Sequence, residues 1–179
     1  MIVIGSYSML KSFKFFLLIS SLYFVGCSSI VHKKNVQLPN DKSYAIGSFW
    51  NYTETPMAGL RAASVVESVV AKEGIQILSL IEGNEKNALS QSKTEFLSAQ
   101  KSTAKAKGAS YLITGEVQEW RYKTGIDGEP VVSYSVKVFD LKSNRTLFNA
   151  IGAKSGWGNK SIGVVAQEIA KELIPQFIN

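Results

Sequence analysis

The chain has 179 residues, a formal net charge of +6, one cysteine and one histidine. Histidine is the usual general base of hydrolases, and zinc sites draw on cysteine, histidine and carboxylates. His32 is the only histidine, and it lies in a polar segment five residues after the only cysteine, Cys27, so we expect no Ser-His-Asp, Cys-His or zinc site. The length suits one domain, and the net charge is too mild to indicate nucleic-acid binding.

The first 26 residues have the pattern of a bacterial lipoprotein signal peptide. A mostly apolar run at 15–25 follows two lysines and leads directly into Gly26 and Cys27. The run is too short to cross a bilayer, which needs about 20 apolar residues. We therefore expect residues 1–26 to be removed and Cys27 to become the first residue of the mature protein. A buried core segment with an ordinary cysteine is the disfavoured alternative, and either Met1 or Met9 could be the start.

Cys27 is expected to carry a diacylglycerol group and an N-linked acyl chain, with no other cofactor. Ser28 occupies the position at which an aspartate would retain a lipoprotein at the inner membrane. The expected location is therefore the periplasmic face of the outer membrane. Residues 27–42 are expected to form the lipidated terminus and a tether. The mature chain has a net charge of about +4 and, with its cysteine acylated, no disulfide.

The first half of the mature chain predicts two pairs of strand and helix. Residues 43–50 are expected to form a strand, and apolar residues at helical spacing predict a helix over 57–73 that ends at Gly74. A β-branched run at 75–81 is typical of a buried strand, and a polar helix is expected over 88–107. Lysines near the end of this helix could contact lipid headgroups or nucleic acid, but a solvated helix face is the simpler interpretation.

From residue 109 the hydrophobic period changes from helical spacing to alternation. Strands are expected at 111–123, 132–138 and 146–155, with a glycine-containing turn at 125–130 and a final helix from the N-cap Ser161 to about residue 174. The order is β-α-β-α-β-β-β-α. This order predicts an α+β fold in which helices cover a mixed sheet, formed as one domain over residues 43–179.

Several motifs resemble those of the PelC family of outer-membrane lipoproteins. The first is the run 119–131, Glu-Trp-Arg-Tyr-Lys-Thr-Gly-Ile-Asp-Gly-Glu-Pro-Val, which is followed by Ala-Lys-Ser-Gly-Trp at 153–157. The segments 51–56 and 108–115, the lipidation motif and the chain length are also similar to that family. The resemblance covers nearly all of the mature chain, and it is weakest in the helix around residues 84–107.

The resemblance implies a fold like the N-terminal, anticodon-binding-like domain of TolB, which CsgG and LpoB share. No nucleic acid is implied by that fold name. PelC-like proteins form a dodecameric ring beneath the outer-membrane porin PelB, and the ring is thought to guide the cationic Pel exopolysaccharide to the pore during biofilm matrix export. The expected partners are therefore further copies of this chain, PelB, the polymer and outer-membrane lipids, and no catalysis is expected.

The acidic candidates for guiding a polymer lie in and beside the predicted hairpin. Asp127 and Glu129 are ordinary turn residues in a monomer, but a ring would repeat them as a closed band of negative charge. Glu116 and Glu119 are further candidates. Glu119 is also expected to form cross-strand pairs with neighbouring cations. We expect Glu116 and Glu119 to face opposite sides of their strand, which disfavours a two-carboxylate glycosidase.

The aromatic candidates are two residues of the long strand and one residue of a loop. Trp120 and Tyr122 could stack on sugar rings, although packing in the sheet or at a subunit interface is the favoured interpretation. Trp157 lies in a glycine-flanked loop near Lys154, where an indole suits the headgroup zone of a bilayer. The competing interpretation buries Trp157 against the last helix.

The alternative function is activation of a peptidoglycan synthase in the periplasm, as by LpoB-like proteins. Such an activator needs a long tether to reach through the peptidoglycan. Residues 28–42 span roughly 50 Å when fully extended. That reach is short, and it favours a ring held close to the membrane.

Overall fold

The computed structural model describes residues 28–32, 37–81, 91–125, 128–157 and 159–178. The predicted signal segment, Cys27 and Asp127 lie outside these residues. Within the described ranges, no helix is both long enough and apolar enough to span a membrane. The same ranges contain no cluster of three or more His, Cys, Asp or Glu side chains that could hold a metal ion.

Seven strands and three α-helices make up the described structure. The strands are β1 (Ser28–His32), β2 (Tyr44–Gly47), β3 (Trp50–Asn51), β4 (Ile77–Leu80), β5 (Tyr111–Tyr122), β6 (Pro130–Asp140) and β7 (Thr146–Ser155). The helices are α1 (Ala58–Lys72), α2 (Lys93–Ala106) and α3 (Ile162–Leu173), and a 3-10 turn (Ile174–Gln176) follows α3. The α+β fold predicted from the sequence is confirmed, and β1 and the short β3 are additions to the predicted order.

The strands form one mixed sheet in the order β1-β7-β6-β5-β2-β4, and β3 also pairs with β5. The ladders among β1, β7, β6 and β5 are antiparallel, whereas β2 runs parallel to both β4 and β5. This strand order corrects two predictions made from the sequence. Residues 28–32, assigned to the tether, form an edge strand on β7, and β4, predicted to be a buried strand, lies at the opposite edge of the sheet.

The main core lies between one face of the sheet and helices α1 and α3. Alternate residues of β6 point into it, as the sequence pattern predicts, and the hydroxyl of Tyr134 donates to the carbonyl oxygen of Ala166 at 2.7 Å. The largest fully buried side chains of this core include Tyr44, Ile46, Phe49, Tyr134, Phe148, Ile169 and Leu173. Burial of such side chains is the main stabilising contribution to the fold.

A smaller core lies under α2 on the other face of the sheet. It contains Ala45, Leu80, Ala104, Ala109, Leu112, Phe139 and Leu141. Ala104 is the only fully buried residue of α2, so this helix is held by a narrow contact. Its first turn is fixed by a capping box, in which Ser92 accepts from the backbone N–H of Glu95 and the Glu95 carboxylate accepts from that of Ser92. Helix α2 covers only part of this face and leaves the middle of β5 and β6 to polar side chains.

Candidate functional site

The acidic and aromatic candidates that the structure describes lie along β5 and at one end of the sheet. We call this end the anchor end, and define it by Ser28, Tyr122, Pro130 and Ser155. In the ladders, Ser28 pairs with Lys154, and Tyr122 pairs with Pro130. Ser28 directly follows Cys27 in the sequence, so the residue predicted to be lipidated is bonded to the strand residue that begins the anchor end.

Trp157 lies at the anchor end in the loop that follows β7. Its side chain is 55% exposed, so it does not pack into the core with α3. The loop is held by backbone hydrogen bonds from Gly156 to the carbonyl of Pro130 and from Lys160 to the carbonyl of Trp157, both 2.8 Å long. Tyr122 and Val164, also at this end, are 50% and 44% exposed. The anchor end therefore presents three large apolar side chains to its surroundings.

The two aromatic candidates of β5 have different environments. Trp120 is only 2% exposed and belongs to the main core, which favours the packing interpretation over sugar stacking. Tyr122 lies at the last position of β5, and its hydroxyl accepts a hydrogen bond from the backbone N–H of Ile162. Tyr122 therefore joins the end of the sheet to the start of α3.

A β-bulge in β5 changes the side of the sheet on which its acidic residues lie. Glu116 pairs with Ser135 and Glu119 pairs with Ser133, while Gln118 is the extra residue between them. Since Ser133 and Ser135 share one face of β6, Glu116 and Glu119 also share a face. The prediction that they face opposite sides is wrong, because strict alternation fails at a bulge.

Two of the acidic candidates pair with cations at the surface. Glu119 accepts from Arg121 at 3.1 Å, and Glu129 accepts from Lys123 at 2.7 Å. The second pair closes the hairpin together with a backbone hydrogen bond from Lys123 to the Glu129 carbonyl. Neither carboxylate therefore presents an uncompensated negative charge of its own.

Of the three acidic candidates that the structure describes, Glu116 is the most enclosed, with its side chain 14% exposed. One of its carboxylate oxygens accepts from both Lys137, in β6, and Lys93, the first residue of α2. Burial would raise the pKa of this carboxyl, but the hydrogen bonds and charges of the two lysines outweigh burial and lower the pKa. Lys93 also donates to the hydroxyl of Tyr52 at 3.0 Å. We call Lys93, Glu116 and Lys137 the two-lysine cluster.

The sequence analysis missed both lysine partners of Glu116. Lys93 comes from a different element, and only the packing of α2 on the sheet brings it close. Lys137 could have been found from its place on the polar face of β6, once β5 and β6 were paired. The cluster also bears on catalysis, because a glycosidase acid needs a raised pKa, whereas that of Glu116 is lowered.

Comparisons with known proteins give structural matches only. No family model and no curated protein matches the sequence. The fold is similar to the PelC dodecamer from Paraburkholderia phytofirmans in two crystal forms, one of them of a point variant, with TM-scores of 0.72 and 0.70. Both are 26% identical to this chain and cover 84% of it and 98% of the PelC chain. The resemblance to PelC found in the sequence is thus confirmed.

A more distant match shows the fold alone. Lipoprotein GNA1162 from Neisseria meningitidis has a TM-score of 0.54 at 11% identity, covering 75% of this chain and 96% of that one. The architecture is therefore also found in a protein of much lower sequence identity.

Proposed function

We propose that this chain is an outer-membrane lipoprotein that assembles into a periplasmic ring and leads a cationic exopolysaccharide to its porin. The main support is the similarity to PelC, which forms a dodecamer and which this chain matches over 98% of the PelC length. The proposed role is structural, and its partners are further copies of the chain, a PelB-like porin, the polymer and lipid.

The anchor end suits a surface that lies against the membrane. The acyl chains on Cys27 would enter the bilayer beside Ser28, and each buried methylene contributes about 0.8 kcal/mol. Trp157, exposed at the same end, has the amphipathic ring that suits the headgroup region. In this arrangement the acyl chains attach each subunit, and Trp157 orients it.

The geometry of β1 favours this ring over a tethered synthase activator. An activator would need free chain between the lipid and the domain. In this fold the sheet begins at Ser28, one residue after the lipidation site. The domain is therefore held against the membrane, where a ring below a porin has to lie.

Most of the acidic candidates cannot supply the negative charge that would guide the polymer. Glu116, Glu119 and Glu129 are each paired within the chain, so repetition around a ring adds no net negative charge at these positions. Asp127, between β5 and β6 in the sequence and outside the described residues, is the remaining acidic candidate. Repeated in every subunit around a narrow lumen, its carboxylate would form a field that attracts ammonium groups.

The test uses the full lipidated chain, both purified in detergent and in its own cells. For the purified chain, we expect light scattering to give the mass of a multi-subunit ring. In cells, we expect Cys27→Ser to abolish both membrane attachment and polymer export. Asp127→Lys should reduce polymer at the cell surface while protein level and ring mass stay unchanged. Arg145→Glu, a reversal of the opposite sign at an exposed turn, is the control. A strictly monomeric wild-type protein in detergent and in lipid would refute the ring.

A further inference from the structure

The two-lysine cluster has more positive charge than its own chain balances. Lys93 and Lys137 share a single carboxylate oxygen of Glu116, so the cluster keeps a net charge of +1. Lys137 is three-quarters buried, with its side chain 25% exposed. Partly buried cations are stable when they are fully paired, and this pairing is incomplete.

A buried hydroxyl beside the cluster also lacks a partner. Ser135 lies opposite Glu116 in the β5–β6 ladder, on the same face of the sheet. Its side chain is only 6% exposed, and its oxygen makes no hydrogen bond. Such groups nearly always find a partner in the working protein. The two lysine ammonium groups donate hydrogen bonds and carry positive charge, and the hydroxyl can either donate or accept, so a negatively charged acceptor is the group that suits the cluster.

A carboxylate without a cation lies on the opposite side of the same chain. Glu67 is half-buried on α1, and in the described part of the chain no lysine or arginine pairs with it. Its neighbours one helical turn away are Ala63, Ser64, Val70 and Ala71, none of which is charged. Helix α1 packs on one face of the sheet, and the two-lysine cluster lies on the other.

We propose that Glu67 of each subunit binds the two-lysine cluster of the next subunit. This inference rests on the proposed ring and identifies the two surfaces that meet in it. Because the cluster and Glu67 lie on opposite faces, one chain cannot satisfy itself, and the contact is head-to-tail. A head-to-tail contact is the type of interface from which rings are built when its rotation closes, as the proposed ring requires. The added carboxylate brings the cluster to two cations and two anions.

Charge reversal tests the contact with the lipidated full chain in detergent. Glu67→Lys and Lys93→Glu should each raise the concentration at which the ring dissociates by about tenfold or more, as expected for close interfacial charge pairs. The double variant, Glu67→Lys with Lys93→Glu, should restore assembly because it exchanges the two charges. Lys93 is the first residue of α2, where a glutamate favours the helix, so this substitution is compatible with folding.

Two matched reversals control for net charge. Glu73→Lys changes the residue after α1, and Lys105→Glu changes an exposed residue of α2 outside the cluster. Both should leave the mass of the ring unchanged. Light scattering over a dilution series measures all variants.

A cross-linking experiment tests the same contact by the distance between the two side chains instead of by the effect of their charges. The only natural cysteine is the lipidation site, so Glu67→Cys with Lys93→Cys adds the only free thiols. A short bis-maleimide should then give a ladder of covalent multimers, and either cysteine alone should not. If the wild-type ring forms but the ladder is absent and the double reversal fails to restore assembly, this contact is wrong and the proposed ring stands. A wild-type chain that never assembles overturns the proposed function itself.

Discussion

The hydroxyl of Tyr122 accepts a hydrogen bond from the backbone N–H of Ile162 at 3.2 Å. Ile162 begins α3, and the first N–H groups of a helix have no partner within it. The Ser161 side chain caps Val164, and Tyr122 reaches the N–H of Ile162. The last residue of β5 therefore helps to fix the start of the helix that covers the main core.

Replacing Tyr122 by phenylalanine removes this hydrogen bond and keeps the ring. We expect the free energy of unfolding to fall by about 0.5–1 kcal/mol, since the bond is neutral and its site is exposed. Urea denaturation followed by circular dichroism measures the change. Ser161→Ala is the reference variant and should cost about 1 kcal/mol as an N-cap loss. An unfolding midpoint unchanged by Tyr122→Phe alone would show that water replaces the hydroxyl without loss.

Two glycines of the sheet should respond very differently to alanine. A Cβ at Gly115 would overlap the carbonyl oxygen of Ser135 and the ring of Phe49, which are fixed parts of the sheet and core. A Cβ at Gly47 would overlap only the end of the Gln100 side chain. The Gln100 amide makes no hydrogen bond in the described structure, so it can move with little loss.

Gly115→Ala should therefore lower the free energy of unfolding by about 1–3 kcal/mol, as overpacking does, and Gly47→Ala by clearly less. Combining Gly47→Ala with Gln100→Ala should remove the remaining cost of the first substitution. Thermal and urea unfolding of the three variants measure these differences. Equal losses for the two single variants would contradict the role assigned to the Gln100 side chain.

The two-lysine cluster predicts a dependence of stability on acid pH. The pKa of Glu116 is lower in the folded chain than its ordinary value of 4.5. A lowered pKa stabilises the fold fully above the ordinary value, and this contribution is lost as the pH falls through the folded-state pKa. The free energy of unfolding should therefore drop between neutral pH and acid, and part of the drop should come from Glu116.

Glu116→Gln removes this titration and leaves the lysines without their anion. We expect the variant to be less stable than the wild type at pH 7 and the gap to narrow below pH 4.5, the ordinary value. Urea titrations at several pH values measure the gap. Glu119→Gln is the control, because its pair with Arg121 is exposed on both sides. If the difference in the free energy of unfolding between wild type and Glu116→Gln did not depend on pH, the effect of the substitution would come from packing and not from charge.

Local signals in the sequence were sufficient for most of the fold. Ser161 as an N-cap and Gly74 after α1 mark helix ends through short-range chemistry, and both lie where the sequence placed them. Alternation along β6 identified its core face. The edge strand β1 was missed because residues 28–32 are too few and too polar to predict pairing, and only the free edge of β7 gives them a partner.

The candidate site was less predictable than the fold because it depends on distant contacts. The bulge at Gln118 has no turn residue or proline to mark it, and it decides the face of Glu119. The pairing of Glu116 with Lys93 exists only after α2 packs on the sheet. Charge at a position can be read from the sequence, whereas its neutralisation by a partner that only helix packing brings close cannot.

Trp157 offers a direct test of the proposed orientation of the chain on the membrane. The other two tryptophans, Trp50 and Trp120, are 8% and 2% exposed, so Trp157 is the only one at the surface. If the anchor end faces the bilayer, lipids with brominated acyl chains should quench wild-type fluorescence, since the indole would lie at the headgroup level. Trp157→Phe should remove most of this quenching. Because the side chain is exposed, the stability should stay within about 0.5 kcal/mol of wild type. Quenching that persists in Trp157→Phe would place another part of the chain against the lipid and overturn the proposed orientation.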